Sequence, residues 1–265
     1  MSVQAAFDKA RSEDRSALVG YLPAGFPDVE GATAAMHTMV ESGCDVIEVG
    51  LPYSDPVMDG PTIQAAAQQA LESGLRTTDV LRTVQAVART GVPVLVMTYW
   101  NPIERYGVEK FARDLAAAGG AGLITPDLVP EEATEWVTAA DRYDLDKVFL
   151  VAPSSTDARL AMTAESCRGF VYATAVMGVT GARVTTSDLA RPLVERARAV
   201  TGLPIGVGLG VSDGEQAALV AAYADGVIVG SAFVRCLLDA GADRSVGLAS
   251  LAELTRDLAD GVRRG

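Results

Sequence analysis

The sequence is poor in the residues that bind metals or form crosslinks. It has one histidine, His37, and three cysteines, Cys44, Cys167 and Cys236, in 265 residues. The cysteines are odd in number and far apart in sequence, which argues against a disulfide framework and a structural zinc site. Without a cluster of histidines, a zinc site of the aldolase or hydrolase type cannot be assembled either. We therefore expect no metal and reduced cysteines in the core.

The chain also lacks a basic cluster and a long apolar run. Its formal charge of −12 at pH 7 would repel a polyphosphate backbone, which argues against nucleic acid as a partner. No apolar run reaches the ~18 residues of a membrane span. The N-terminal segment lacks the basic-then-apolar order of a signal peptide. These absences predict no membrane partner and a cytoplasmic location.

Apolar residues make up 49% of the chain, enough for a large core, and they are concentrated in short β-branched runs. Eight such runs lie at residues 17–22, 45–49, 94–98, 122–125, 148–151, 170–174, 205–207 and 226–229. Their hydrophobicity is continuous rather than alternating, as in parallel strands that are buried on both faces. Amphipathic helices are predicted between them, at residues 29–41, 63–71, 80–88, 108–118, 131–140, 188–200 and 215–222.

This alternation of strands and helices predicts an α/β fold, specifically a (β/α)8 TIM barrel. An extra N-terminal helix at residues 2–11 and a final helix at residues 246–260 complete the expected elements. No linker, charge block or low-complexity stretch divides the chain, so we expect a single domain over residues 1–265. A doubly wound open sheet is the alternative fold.

Glycine-rich turns follow the last three predicted strands, at residues 178–181, 206–212 and 230–231. In TIM barrels, phosphates often bind where these loops meet helix N-termini, because unhindered backbone N–H groups and the helix dipole face the anion there. Tight turns need glycine in any case, but three such turns on adjacent strands favour a phosphate site. A Rossmann site is excluded, since position 213 is Asp where that fingerprint requires a further glycine.

Two acidic residues, Glu48 and Asp59, lie around the end of the second predicted strand. Strand alternation turns Glu48 inward, where a carboxylate is costly to bury, and this indicates a chemical role. Three prolines within residues 52–61 fix the path of the following loop, so Asp59 is expected to be held in place. The alternative is structural: Glu48 would form a salt bridge, and Asp59 would cap the helix that starts at Pro61.

The other residue types leave proton transfer to these carboxyl groups. His37 falls inside a predicted helix and is interpreted as a surface or packing residue. The lysines fall in helices or just before strand five, away from the strand ends that carry barrel active sites, which excludes a Schiff-base lysine. Candidate helpers and pocket residues near those strand ends are Tyr21, Leu22, Met97, Tyr99, Leu123, Asp127, Tyr172 and Leu209.

Several motifs resemble one family over nearly the whole chain. They are GLPYSDPVMDGPTIQ at 50–64, YWNP at 99–102, PDLVPEE at 126–132, GVTG at 178–181, GLGVS at 208–212 and Gly-Ser at 230–231. In this order they are similar to the motifs of the tryptophan synthase alpha subunit family. The resemblance implies reversible retro-aldol cleavage of indole-3-glycerol phosphate to indole and glyceraldehyde 3-phosphate, without a metal or cofactor in this chain.

The resemblance also implies residue roles. Glu48 falls on the family's catalytic glutamate, which moves protons at the glycerol hydroxyl and indole C3, and Asp59 falls on the aspartate at the indole N–H. Tyr172 would orient Glu48. Phosphate contacts fall on Gly181, Gly210, Gly230 and Ser231. Together with the pocket residues, the expected substrate-binding set is Tyr21, Tyr99, Leu123, Tyr172, Thr180, Gly181, Leu209, Gly210, Gly230 and Ser231.

A partner is implied as well. The family works as an α2β2 complex whose beta subunit carries pyridoxal phosphate and receives indole through a tunnel, so the cofactor is expected on that partner. Asp55 and the 127–132 loop, with Asp127 and Val129, match regions that face the beta subunit.

Other functions stay open at this point. Another phosphate-binding barrel, such as indole-3-glycerol phosphate synthase or a phosphoribosyl isomerase, is disfavoured by the Glu48 and Asp59 pair, and the first also by the missing strand-end lysine. A stand-alone indole-3-glycerol phosphate lyase of a specialised pathway is a further alternative. A catalytically silent allosteric subunit is another, although a pure effector has no need of two acids in an apolar pocket.

Overall fold

The structure is a computed structural model that describes residues 2–174, 187–208 and 210–265. Within these residues, eight parallel strands pair in chain order and close into a barrel. The strands are β1 Ala17–Pro23, β2 Val46–Gly50, β3 Val94–Met97, β4 Gly122–Thr125, β5 Asp146–Val151, β6 Val171–Thr174, β7 Ile205–Gly208 and β8 Gly226–Val229. The TIM-barrel prediction is confirmed, and the closed barrel excludes the open sheet.

Helices surround this barrel in the described part of the chain. They are α1 Val3–Ser12, α2 Val29–Glu41, α3 Pro61–Glu72, α4 Thr77–Ala88, α5 Trp100–Tyr106, α6 Val108–Ala117, α7 Thr134–Arg142, α8 Asp157–Ser166, α9 Ser187–Arg198, α10 Gly214–Ala221, α11 Ser231–Ala240 and α12 Arg244–Gly261, with a 3-10 turn at Pro130–Glu132. Side-chain caps fix several starts; Asp28 Oδ1, for example, accepts the Gly31 N–H at 2.7 Å. Among these helices, none has the length and apolar character needed to cross a membrane.

The inside of the barrel has its own core, which α1 closes at the amino end. Phe7 of α1 stacks on Phe170 with ring centroids 5.3 Å apart, next to inward side chains such as Val46 and Ile124. A larger core fills the space between the outer faces of the strands and the helices. The carboxyl ends of the strands are therefore the open end of the barrel, where a site is expected.

A few element bounds differ from the prediction. β5 begins at Asp146, so that Lys147 lies within the amino end of the strand and pairs with Asp141 rather than preceding the strand. The predicted helix at residues 131–140 is divided into the 3-10 turn and α7. Helices α5 and α8 were not among the predicted elements.

Candidate active site

Glu48 lies at the inward face of β2 and is fully buried. Among the described residues, neither of its carboxyl oxygens has a hydrogen-bond partner, so the structural alternative of a salt bridge is wrong. Burial without a partner disfavours the charged form and raises the pKa of Glu48 to about 8. Glu48 is therefore protonated at neutral pH, and it lines the cavity at the carboxyl ends of the strands.

Asp59 is held by a tyrosine from the next strand. The Tyr99 hydroxyl donates to Asp59 Oδ1 at 2.9 Å and accepts the N–H of Met58 at 3.0 Å. Burial raises the pKa of Asp59, and the hydrogen bond from Tyr99 opposes this rise. Helix α3 has Gly60 as its N-cap and no side-chain cap among the described residues, so the interpretation of Asp59 as a helix cap is wrong.

Two tyrosines, Tyr21 and Tyr172, line the cavity, and glycines on the following strands make room for them. A Cβ added to Gly50 would lie 2.3 Å from the Tyr21 hydroxyl, and one added to Gly208 would lie 2.6 Å from the Tyr172 hydroxyl. Sequence reasoning identified the tyrosines but not this role of the glycines. Each glycine occupies an inward strand position, two residues beyond the position that pairs with the tyrosine, and a glycine within a strand often marks such a close approach.

These side chains enclose a cavity of about 270 Å³. One corner of the cavity is formed by Gly210, whose φ of +74° suits glycine, and by Gly230 and Ser231 at the start of α11. Thr180, Gly181 and Leu209 were also predicted to bind substrate, and they lie outside the described residues. Other lining residues are Leu51, Pro52, Met58, Gly60, Ile63, Ala67, Met97, Thr98, Tyr99, Pro126, Leu150, Thr174 and Ile228.

Leu123 requires a correction. It packs in the outer core between strands and helices and is absent from the cavity lining, so the expectation that it contacts substrate is wrong. The reason is the alternation of side chains along β4, which point in turn to the inside and the outside of the barrel. Its neighbour Ile124 pairs with the cavity residue Met97 and belongs to the interior core, which turns Leu123 outward.

The residues expected at a partner interface lie on the surface of the loops that follow the strands. Asp55, Asp127 and Val129 are all exposed. Asp127 also has a local role, because its Oδ1 accepts the N–H of Trp100 at 2.9 Å and so caps the start of α5. In residues 2–174, 187–208 and 210–265 there is no group of three or more His, Cys, Asp or Glu side chains that could hold a metal ion.

The fold and cavity define a class of protein: a (β/α)8-barrel enzyme with two carboxyl groups and a glycine-lined corner at the carboxyl ends of its strands. The family model described as tryptophan synthase alpha chain matches residues 7–263. The chain belongs to the tryptophan synthase alpha chain family. Members of this family cleave indole-3-glycerol phosphate, and that carbon–carbon lyase reaction, a step of tryptophan biosynthesis, is the activity of this chain.

Individual relatives agree with this assignment. The tryptophan synthase alpha chain of Salinispora arenicola is 65% identical over 258 residues, which cover 97% of this chain and 96% of the relative. That of Acidothermus cellulolyticus is 58% identical over 263 residues, covering 99% and 97%. A crystal structure of tryptophan synthase from M. tuberculosis in an open form has a TM-score of 0.92 at 55% identity, with 100% of both chains covered. The alpha subunit structure from Legionella pneumophila has a TM-score of 0.91 at 32% identity, covering 99% and 98%. None of these names supports a stand-alone specialised lyase or a silent subunit.

Proposed function

We propose that Glu48 and Asp59 together carry out the reversible retro-aldol cleavage of indole-3-glycerol phosphate to indole and D-glyceraldehyde 3-phosphate. The supporting observation is the state of Glu48, a buried carboxyl group that faces the cavity, has no partner among the described residues and has a pKa of about 8. Such a group is protonated at neutral pH, so it can act first as a general acid and then as a general base.

In the first step, Glu48 gives its proton to indole C3. The electron pair of the C2–C3 double bond forms the new C–H bond, and the nitrogen lone pair forms a C2–N double bond. Positive charge therefore develops at nitrogen. The carboxylate of Asp59, oriented by Tyr99, accepts the indole N–H and stabilises that charge. The hydrogen bond from Tyr99 assists by favouring the ionised form of Asp59.

In the second step, the Glu48 carboxylate removes the proton of the glycerol hydroxyl next to the indole ring. The O–H electron pair becomes the carbonyl bond of glyceraldehyde 3-phosphate, and the bond between C3 and the glycerol carbon breaks. Its electron pair restores the C2–C3 double bond and neutralises the nitrogen. Glu48 ends protonated, as it began, so the cycle closes without a metal or redox cofactor.

The phosphate group is assigned to the corner formed by Gly210, Gly230 and Ser231. Backbone N–H groups at the start of α11 face an anion favourably there, and glycine lets the phosphate approach the backbone closely. Thr180, Gly181 and Leu209 keep their predicted roles as proposals, as does Tyr172 for orienting Glu48.

The partner is proposed to be a pyridoxal-phosphate beta subunit in an α2β2 complex. Apolar side chains are exposed beside the cavity mouth, with Val57 75% and Val129 42% exposed, and this suits a surface that another subunit covers. Asp55 and Asp127 each precede one of these valines by two residues. We also treat residues 1–265 as one domain, since α12 packs on α2, α10 and α11. A cytoplasmic location stays a prediction.

The test of the catalytic proposal is the variant Glu48→Gln, assayed for indole formation with and without a beta subunit. We expect a ~10²- to 10⁴-fold loss of kcat, since the shape is kept and the acid–base group is lost. Binding of indolepropanol phosphate, an unreactive substrate analogue, should persist.

Exposed Glu253, on α12, supplies the matched control Glu253→Gln, which should match the wild type. More than about a tenth of wild-type activity in Glu48→Gln would rule out Glu48 as the main acid–base residue. Activity of the wild-type chain alone would separate an enzyme from a silent subunit.

A further inference from the structure

Tyr21 and Glu48 are direct neighbours on adjacent strands. β1 and β2 run parallel, and their register pairs Tyr21 with Glu48. Paired residues of parallel strands direct their side chains to the same face of the sheet, and both of these line the cavity. A phenol hydroxyl and the proposed acid–base group therefore share one wall of the site.

The position of the Tyr21 hydroxyl is fixed by what surrounds the ring. A Cβ on Gly50 would lie 2.3 Å from the hydroxyl oxygen, and a Cβ on Gly230 would lie 3.2 Å from Cδ1 of the ring. Gly50 is the next inward residue after Glu48 on β2. The Tyr21 ring therefore extends from β1 over β2, the strand that carries Glu48. Its hydroxyl lies over Gly50, which is the inward position after Glu48 and is closer to the cavity mouth.

The other cavity tyrosine is directed differently. The Tyr172 hydroxyl lies over Gly208 of β7, since a Cβ there would be 2.6 Å away. The Tyr172 ring thus extends from β6 over β7, whereas the Tyr21 ring extends from β1 over β2, the strand that carries Glu48. Burial and the nearby Glu48 raise the pKa of Tyr172, so Tyr172 is also close to Glu48, but only Tyr21 is paired with Glu48 on an adjacent strand.

Both polar groups lack partners in the part of the chain that the structure describes. Neither oxygen of Glu48 has a hydrogen-bond partner there. The hydrogen bonds that cavity tyrosines make among the described residues are those of Tyr99, and none involves Tyr21. This is tolerable while Glu48 is protonated. After Glu48 has given its proton to the substrate, a buried carboxylate without a donor would be costly.

We propose that Tyr21 is a positioning residue for Glu48: its hydroxyl donates a hydrogen bond to the Glu48 carboxylate during the half of the cycle in which that group is ionised. The inference rests on the proposed acid–base role of Glu48. No proton is transferred from Tyr21. Burial and the nearby acids Asp59 and Glu48 raise the pKa of Tyr21, so its hydroxyl keeps its proton and remains a donor to the carboxylate.

The test is Tyr21→Phe, which keeps the ring and removes only the hydroxyl oxygen. Two quantities are measured: kcat for indole formation, and the titration of Glu48 followed by its carboxylic acid C=O infrared band, assigned by subtracting the spectrum of Glu48→Gln. Because a hydrogen bond to the charged form lowers the pKa of an acid, its loss should raise the pKa of Glu48 by about one unit. We expect kcat to fall about tenfold or more with KM little changed.

Tyr223 offers a matched control, since its hydroxyl is also buried without a partner among the described residues, and it is absent from the cavity lining. Tyr223→Phe should leave kcat and the Glu48 titration unchanged. An unmoved Glu48 titration in Tyr21→Phe overturns the proposal, whether or not kcat falls, because the hydroxyl would then act on substrate or not at all. Such a result leaves the role of Glu48 standing; that role fails separately, if Glu48→Gln stays active.

Discussion

The Tyr99 hydroxyl donates to Asp59 Oδ1 at 2.9 Å, and this bond connects the end of β3 to the loop after β2. Tyr99 is buried, and the same hydroxyl accepts the N–H of Met58, so it binds two consecutive residues of the loop. Met58 and its neighbour Val57 are exposed, on the surface proposed to meet the beta subunit. A single phenol thus holds both the carboxyl group that we propose binds the indole N–H and the loop that carries the proposed partner surface.

Tyr99→Phe should therefore impair the proposed function of Asp59. The variant removes a hydrogen bond to a carboxylate, worth roughly 1.5 to 3 kcal/mol, so kcat/KM should fall about 10- to 100-fold in steady-state assays of indole formation. The pKa of Asp59 should rise, because the lost bond favours its ionised form. Tyr53→Phe is the matched control, since the Tyr53 ring packs 5.5 Å from that of Tyr99 but has no hydrogen bond to Asp59.

A double variant separates this mechanism from general disturbance of the cavity. If Tyr99 acts through Asp59, Tyr99→Phe should lower kcat/KM little further in an Asp59→Asn background, because the charge that Tyr99 orients is already absent there. Fully additive losses in kcat/KM would contradict the coupling.

The barrel was predictable because each strand is buried on both faces, which leaves a continuous apolar run in the sequence. Glu48 was predictable as an inward residue, since an acid at an inward position within such a run stands out. Leu123 was not placed correctly, because β4 is short and its parity is set by pairing with β3, which sequence alone does not give. The bond from Tyr99 to Asp59 spans 40 positions and depends on how two loops meet.

Stability should depend on pH through Glu48. Its pKa is raised on folding, so as pH increases the unfolded chain releases this proton before the folded protein does, and stability is lost between the ordinary carboxyl range and about pH 8. Glu48→Gln removes this loss of stability, because glutamine has no proton to release. Each unit of pKa shift corresponds to about 1.4 kcal/mol, so Glu48→Gln should raise Tm by several degrees near pH 8.5.

Near pH 5 the Tm of Glu48→Gln should be close to that of the wild type, because both the protonated glutamate and the glutamine are then neutral. Thermal unfolding by circular dichroism at the two pH values gives the comparison. A Tm difference that does not change with pH would show that Glu48 is ionised when folded, or that its pKa is not raised.

The proposed partner surface predicts a selective loss of binding. Val129→Asp places a charge on an exposed apolar position at the rim, and burying that charge under a second subunit is costly, so affinity for the beta subunit should fall at least about tenfold by calorimetry. Leu219, 65% exposed on α10, supplies the control Leu219→Asp, which should bind normally. Equal affinities for both variants and the wild type would remove Val129 from the interface.

The last prediction concerns Gly50, whose missing side chain makes room for Tyr21. In Gly50→Ala, the new methyl group would lie 2.3 Å from the Tyr21 hydroxyl, so the ring must move. We expect a loss of about 1 to 3 kcal/mol in the free energy of unfolding, as for other overpacked sites, and a lower kcat. Gly202→Ala is the control, because a Cβ at Gly202 meets nothing within 4 Å.

Shortening the side chain at position 21 should relieve this clash. Tyr21→Leu removes the atoms of Tyr21 nearest to the new methyl group, so the double variant with Gly50→Ala should be more stable than the sum of the two single losses predicts. Chemical denaturation of the four proteins measures this coupling. Strict additivity would mean that the ring does not occupy the space over Gly50, and it would also remove the geometric basis for placing the Tyr21 hydroxyl beside Glu48.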